Sequence, residues 1–80
     1  MKLKYIITSN GDFAIFSELS SHQDIARSMY GKPVSAGFCY IDSTTGTKSS
    51  PFITCFGEST SLNLESTDED SNILTEKINS

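Results

Sequence analysis

Histidine, aspartate and serine occur close together at one place in the sequence, and these are the residue types of a hydrolytic triad. His22 and Asp24 are only two residues apart, however, and side chains at positions i and i+2 of a helix point in different directions. The chain also lacks a Gly-x-Ser-x-Gly segment, which would expose a nucleophilic serine. We therefore interpret His22 as a surface histidine in the first turn of a helix, and we predict no catalytic residue.

The remaining residue patterns give little support for a phosphate-binding or metal-binding site. Gly31 and Lys32 resemble the end of a phosphate-binding loop, but Pro33 stands where such loops carry Ser or Thr. One histidine and two cysteines without a Cys-x-x-Cys spacing do not form a zinc set. Residues 68–70 are acidic but lack the glycine and the late glutamate of a calcium loop. We expect no metal and no cofactor.

Glu58 and Glu65 are of the residue type that glycosidases use in pairs. A chain of 80 residues is short for the large cleft that a sugar substrate needs. An enzyme of this size normally carries a cofactor motif, a metal set or a credible nucleophile with its base, and the sequence contains none of these. We therefore expect a protein that is not an enzyme.

Cys39 and Cys55 fall on two apolar segments that flank a polar loop. If these segments form a hairpin symmetric about Thr47, the two cysteines lie directly opposite each other, with their Cα atoms about 4.5 to 5.5 Å apart. That separation permits a cross-strand disulfide. The alternative is two buried thiols that pack as small apolar groups, and we prefer it for a cytosolic protein.

The same hairpin register sorts the apolar side chains onto two faces, because side chains alternate along a strand. Both faces are apolar, which is typical of a strand pair that is covered on two sides. The larger side chains are either ordinary core or an interface with a partner or a second copy of the chain. One face would hold Cys39, Ile41, Ile53 and Cys55, and the other, the aromatic face, would hold Phe38, Tyr40, Phe52 and Phe56.

The net charge of -4 is concentrated in the second part of the chain. Residues 1–48 carry five basic and four acidic side chains, whereas residues 49–80 carry one basic and six acidic ones. Five dispersed cations do not make the basic stripe that binds nucleic acid directly. The acidity predicts instead a protein partner with a basic surface. The candidate contact residues are Glu65, Asp68, Glu69 and Asp70.

Hydropathy and turn signals predict the elements that position these residues. Asn10 and Gly11 predict a two-residue type I′ turn between the first two strands. Ser21 and Asp24 predict the start of a first helix, and Ser66 and Glu69 the start of a second. Strands are expected at 1–8, 13–16, 34–42 and 52–57, with a weaker one at 59–64, and helices at 21–30 and 67–78.

The predicted order is therefore β-β-α-β-β-(β)-α, which makes the chain an α+β protein. We expect an antiparallel sheet of four or five strands with two short helices against one face. Nothing in the sequence divides residues 1–80 into more than one domain. The apolar run at residues 5–7 is too short for a secretory signal, and no segment approaches the roughly 20 apolar residues of a membrane span. A cytoplasmic protein without a membrane contact is expected.

In size and charge balance the sequence is similar to accessory proteins of phages and mobile elements. These include inhibitors that block the nucleic-acid-binding sites of bacterial defence nucleases. The resemblance rests on composition alone, and it implies a small acidic module that covers a basic surface of a host protein. The alternative is a structural or assembly protein that forms a homodimer or larger homo-oligomer through the aromatic face.

Overall fold

Antiparallel strands form the centre of the fold in the computed structural model, which describes residues 2–42 and 51–79. A four-stranded sheet has the order β2-β1-β3-β4, and β5 and β6 form a separate two-stranded sheet. The α+β class and the four antiparallel strands are as predicted. The elements in chain order are β1 (Lys2–Thr8), β2 (Phe13–Ser17), α1 (His22–Arg27), β3 (Pro33–Asp42), β4 (Phe52–Phe56), β5 (Glu58–Ser59), β6 (Leu64–Glu65) and α2 (Asp70–Ile78).

The turn between β1 and β2 is longer than the predicted two-residue turn. The Thr8 carbonyl accepts the Gly11 N–H at 3.1 Å, and the Thr8 N–H donates to the Asp12 carbonyl at 2.9 Å. Gly11 has a φ of 88°, whereas Asn10 is not in the left-handed region. This pattern is a three-residue hairpin loop, in which only the last residue needs a positive φ.

The β3–β4 hairpin has the register that the sequence predicts. Cys39 lies opposite Cys55, Phe38 opposite Phe56, and Asp42 opposite Phe52. The predicted centre of the connecting loop, Thr47, lies outside the described residues. The predicted division of the hairpin into two apolar faces is therefore confirmed.

The two helices lie on opposite faces of the sheet, and the prediction that both cover one face is wrong. Leu74 of α2 packs in the core cluster with Tyr5 and Ile53. On the other face, α1 places His22 against Phe38. Since β2 and β3 lie on either side of β1, the connection that contains α1 has to cross a face of the sheet.

The predicted strand at 59–64 is instead a turn between two short strands. Ser59 in β5 pairs with Leu64 in β6. Asn63 between them has a φ of 55°, and its N–H donates to the Thr60 carbonyl at 3.2 Å. Asparagine tolerates the left-handed conformation better than most residues, which allows a tight turn at this position. The alternation of Leu62 and Leu64, taken alone, predicts one continuous strand.

Both helices are shorter than predicted. The Ser21 side chain accepts the Asp24 N–H at 3.1 Å, which confirms the first cap, but α1 ends at Arg27. Residue Glu69 makes no capping bond with its side chain, so the second capping box is wrong. The chain enters α2 instead through a turn in which the Thr67 N–H donates to the Asp70 carboxylate at 3.0 Å.

Candidate protein-binding surfaces

A groove beside the start of β3 carries two exposed glutamates. Glu58 and Glu65 are directly opposite each other across the β5–β6 pair. Like charges in that position repel and destabilise the strand pair. Val34, which is 48% exposed, is part of the same groove. The groove has a volume of about 480 Å³ and is lined by Val34, Glu58, Asn63, Leu64, Glu65 and Thr67.

The groove is held in place by backbone turns that redirect the chain after β4. Gly57 has a φ of 77° and separates β4 from β5. The Gly57 carbonyl accepts the Ser66 N–H at 2.9 Å, which closes the far side of the β5–β6 hairpin. Ser59 is buried, and its hydroxyl accepts the Leu62 N–H at 3.4 Å. The acidic side chains are thus presented by a closed loop.

The predicted acidic contact residues divide into exposed and buried ones. Glu65, Asp68 and Glu69 are exposed, as a contact with a partner requires. Asp70 is only 1% exposed, so it is not available to a partner and its assignment as a contact residue is wrong. Glu58, which the sequence suggested only as one member of a glycosidase-like acid pair with Glu65, lies beside Glu65 at the groove.

Asp70 is buried because it connects α2 to the sheet. Its carboxylate accepts hydrogen bonds from the Tyr5 hydroxyl, from the Ser35 hydroxyl at 3.2 Å and from the Thr67 hydroxyl at 2.6 Å. A buried carboxylate with several donors is satisfied without a counter-ion. Burial, and then the bond to Asp70, raise the pKa of Tyr5, so its hydroxyl stays a donor. This cluster stabilises the fold.

The two cysteines face each other as free thiols. Burial raises the pKa of Cys39 to about 11. Burial and the neighbouring Cys39 raise the pKa of Cys55 to about 12. Since the thiolate is the nucleophile, both side chains are poor nucleophiles at neutral pH.

His22 is buried rather than exposed, which corrects its interpretation as a surface histidine. It is 4% exposed and its ring makes edge contacts with Phe16 and Phe38 at 5.5 and 6.0 Å between centroids. Its Nε2 lies 2.8 Å from the Gly37 carbonyl, which can only accept, so Nε2 carries the proton. Burial lowers the pKa of His22, and the carbonyl of Gly37 opposes that shift.

The four predicted aromatic residues share one face of the β3–β4 hairpin. Phe56 stacks on Phe38 at 5.9 Å and on Tyr40 at 5.2 Å between centroids, and both phenylalanines are half-buried. Tyr40 and Phe52 are 42% and 45% exposed. Helix α1 is six residues long and lies at the His22 end of this face, so it leaves the other corner open.

The sequence interpretation missed a row of polar side chains, on α2 and its C-cap residue Asn79, that bonds to the edge strand β4 and to the residue before it. Ser71 Oγ accepts the Cys55 N–H at 2.8 Å, and Thr75 Oγ1 accepts the Ile53 N–H at 2.9 Å. Asn79 Nδ2 donates to the carbonyl of Pro51 at 3.0 Å. Every fourth helical residue advances about 6.0 Å and every second strand residue about 6.8 Å, so the two rows match. The spacing Ser71, Thr75 and Asn79 was the available signal.

Within the described residues no group of three or more His, Cys, Asp and Glu side chains is placed to hold a metal ion. No helix in the described part of the chain is long and apolar enough to cross a membrane. Comparison with known proteins finds no matching family model, no matching curated protein and no matching solved structure.

Proposed function

We propose that this protein is a non-enzymatic binding module that docks on the basic surface of another protein. The observation that carries the proposal is the placement of Glu58 and Glu65 directly opposite each other in an exposed groove. Their mutual repulsion is relieved when a cation of a partner lies between them.

The lining of the groove favours a lysine or arginine side chain over a small cation. The exposed side chain of Val34 and the half-buried side chain of Leu64 offer apolar surface beside the two carboxylates. Lysine and arginine bury their aliphatic stems on apolar surface while the charged end binds acceptors. A partner protein with projecting basic side chains therefore matches both parts of the groove.

The surrounding charge supports the same partner. Residues 49–76 contain no lysine or arginine, and Asp68 and Glu69 are exposed just beyond the groove. The ion pairs Lys2–Glu18 and Arg27–Asp24 belong to the first part of the chain. A surface with one sign of charge accelerates encounter with an oppositely charged partner.

The partner class that fits best is a protein that binds nucleic acid. Such proteins present lysine and arginine side chains in a groove for phosphate, and an acidic module that occupies this groove prevents nucleic acid from binding. Inhibition of a host defence protein by a phage or mobile-element protein is one biological setting for this function.

The test measures binding of a labelled peptide rich in lysine and arginine by fluorescence anisotropy, with an acidic peptide of equal length as the probe control. We expect binding that weakens as salt rises from about 20 to about 300 mM. The double variant Glu58→Gln/Glu65→Gln should bind at least about tenfold more weakly at the lower salt concentration.

A matched control variant separates the groove from net charge. Asp42 and Glu76 are exposed acids, and Asp42 lies eight residues along β3 from Val34, about 26 Å away. Asp42→Asn/Glu76→Gln removes the same charge and should change binding less than about twofold. Equal weakening by both doubles, or no binding of the basic peptide, would contradict the proposal.

A second candidate function is assembly of a homo-oligomer through the aromatic face. The observation that favours it is the exposure of Tyr40 and Phe52 at the corner that α1 does not cover. Lys2 is paired with Tyr40 in the sheet and Asp42 with Phe52, so opposite charges flank the aromatic corner. In a contact between two copies related by a two-fold axis, opposite charges that flank the same patch favour association.

The two exposed aromatic residues provide the test of this second function. If the aromatic corner is the interface, Tyr40→Ser/Phe52→Ser should abolish self-association in analytical ultracentrifugation, whereas binding of the basic peptide should be unchanged. Self-association that persists in this variant would exclude the aromatic corner as the interface.

A further inference from the structure

The two edges of the four-stranded sheet differ in whether other parts of the molecule bond to their outer backbone groups. At the β4 edge, the row of Ser71, Thr75 and Asn79 bonds to backbone groups that point away from the sheet. At the β2 edge, no strand of the described residues lies on the outer side. Unpaired edge strands are templates for pairing with another chain.

The hydrogen-bond alternation identifies which backbone groups of β2 point outward. The Thr8 N–H donates to the Asp12 carbonyl, so Thr8 and every second residue before it direct their backbone groups toward β2. Ile6 is one of these residues, and it pairs with Ala14. The backbone groups of the alternate residues Phe13, Ile15 and Ser17 therefore face away from β1. The Ser17 carbonyl already accepts the Ser20 N–H at 3.0 Å, so the outward groups left for pairing are those of Phe13 and Ile15 and the N–H of Ser17.

The outer edge of β2 lacks the features that usually prevent pairing. Its sequence, Phe-Ala-Ile-Phe-Ser, contains no charge and no proline. No bulge interrupts its register with β1 from Phe13 to Ser17. Lysine, proline and bulges are the common means by which natural edges avoid association.

We propose that β2 pairs with β2 of a second copy of this chain, so that two sheets join into one across a two-fold axis. Antiparallel pairing centred on Ile15 sets Ile15 against its own copy and Phe13 against Ser17 of the other copy. On the opposite face, the small side chain of Ala14 lies across from the large side chain of Phe16 in both copies. The strand is thus complementary to itself.

Charge determines how this dimer responds to salt. The centred register places Asp12 of one copy opposite Glu18 of the other at both ends, and each chain has a net charge of -4. Glu18 is ion-paired with Lys2 at 3.5 Å, which reduces part of the repulsion. Salt screens the remaining repulsion between the two copies, so the affinity of the dimer rises with salt concentration. The proposed complex with a basic partner responds in the opposite direction, so the two proposals fail independently.

The size of the contact determines the concentration range of the test. The strand is five residues long, and its pairing buries less than the roughly 1,200 Å² of a standard interface. We expect a reversible dimer with a dissociation constant on the order of 100 µM.

The full chain is studied by sedimentation equilibrium from about 10 µM to about 1 mM at two salt concentrations. Ile15→Pro removes an outward N–H and places a ring at the centre of the contact, and proline is tolerated on an edge. We expect this variant to weaken the dimer by at least about 30-fold. The control variant is Thr54→Lys, a substitution at an exposed residue of β4, and it should not alter the dimer. A proline at position 54 would not serve as a control, because the backbone of Thr54 pairs with that of Tyr40.

Amide exchange of the wild-type chain gives a second measurement that does not depend on a variant. The amides of Ile15 and Ser17 should become protected as concentration rises, while that of Leu19 on the loop after β2 should not. The Phe13 amide is left out of this test because the carbonyl opposite it, that of Ser17, already accepts the Ser20 N–H. A chain that stays monomeric at about 1 mM overturns the proposal. A dimer in which these two amides show no added protection overturns it as well. If Tyr40→Ser/Phe52→Ser abolishes that dimer, the aromatic corner is the interface.

Discussion

The hydroxyl of Thr75 bonds to both backbone groups of Ile53. It accepts the Ile53 N–H at 2.9 Å and donates to the Ile53 carbonyl at 3.4 Å. A side chain of α2 thereby occupies the position that a neighbouring strand would otherwise take on β4. This contact explains why, among the residues that the structure describes, no further strand pairs with β4.

Removing the Thr75 hydroxyl should destabilise the fold. Thr75→Val keeps the shape of the side chain but leaves the Ile53 N–H without its acceptor, so we expect a loss of about 1 to 2 kcal/mol in the free energy of unfolding. Urea denaturation followed by circular dichroism measures it. Thr54→Val on the exposed face of β4 is the control, and equal stability of the two variants would show that the Thr75 bond contributes nothing.

Asp70 should contribute to the folding stability of the protein and not to binding of a basic partner. Asp70→Ala leaves the Tyr5, Ser35 and Thr67 donors without their acceptor, and we expect a loss of about 3 kcal/mol in the free energy of unfolding. Asp68→Ala, two residues earlier and exposed, should stay within about 0.5 kcal/mol of the wild type. A stability of Asp70→Ala equal to that of Asp68→Ala, by urea denaturation, would contradict the role of the buried cluster.

The parts of this fold that sequence reasoning predicted are those set by local or neighbouring segments. The register that sets Cys39 against Cys55 follows from the alternation of apolar residues on two segments joined by one loop. The cap at Ser21 depends on a contact with Asp24, three residues away. Such features need no knowledge of distant parts of the chain.

The errors concern residues whose environment is decided by distant partners. An acid in the first turn of a helix is favourable whether it is exposed or buried, and the Asp70 contacts with Tyr5 and Ser35 span 65 and 35 positions in sequence. His22 is buried because the crossover sets α1 against Phe38. Neither arrangement has a local signal in the sequence.

Stability should fall as the pH drops below the ordinary pKa of histidine. Burial lowers the pKa of His22 from its usual 6.5, and the charge of Lys4 lowers it further. Well above pH 6.5 neither the folded nor the unfolded chain binds this proton, and the full stability is present. Below 6.5 the unfolded chain binds it first, so the free energy of unfolding decreases until the pH reaches the lower pKa of the folded state.

His22→Gln keeps a donor for the Gly37 carbonyl and should remove this dependence. His22 is the one histidine of the chain, and carboxylates titrate mostly below about pH 5. Urea denaturation at about pH 7.5, 6.5 and 5.5 measures the slope. Equal slopes for the wild type and His22→Gln would show that His22 is not the group responsible.

Both cysteines should react slowly with iodoacetamide while the protein is folded. Burial holds the pKa of Cys39 at about 11 and that of Cys55 at about 12, so at pH 8 almost no thiolate is present, and Cys39 is also inaccessible. Mass spectrometry should find two alkylated thiols quickly in urea without reductant and much more slowly in buffer. Because Cys55 is partly exposed, it should react before Cys39. Fast labelling of both in buffer would contradict their burial, and no labelling in urea without reductant would show that the facing pair is oxidised.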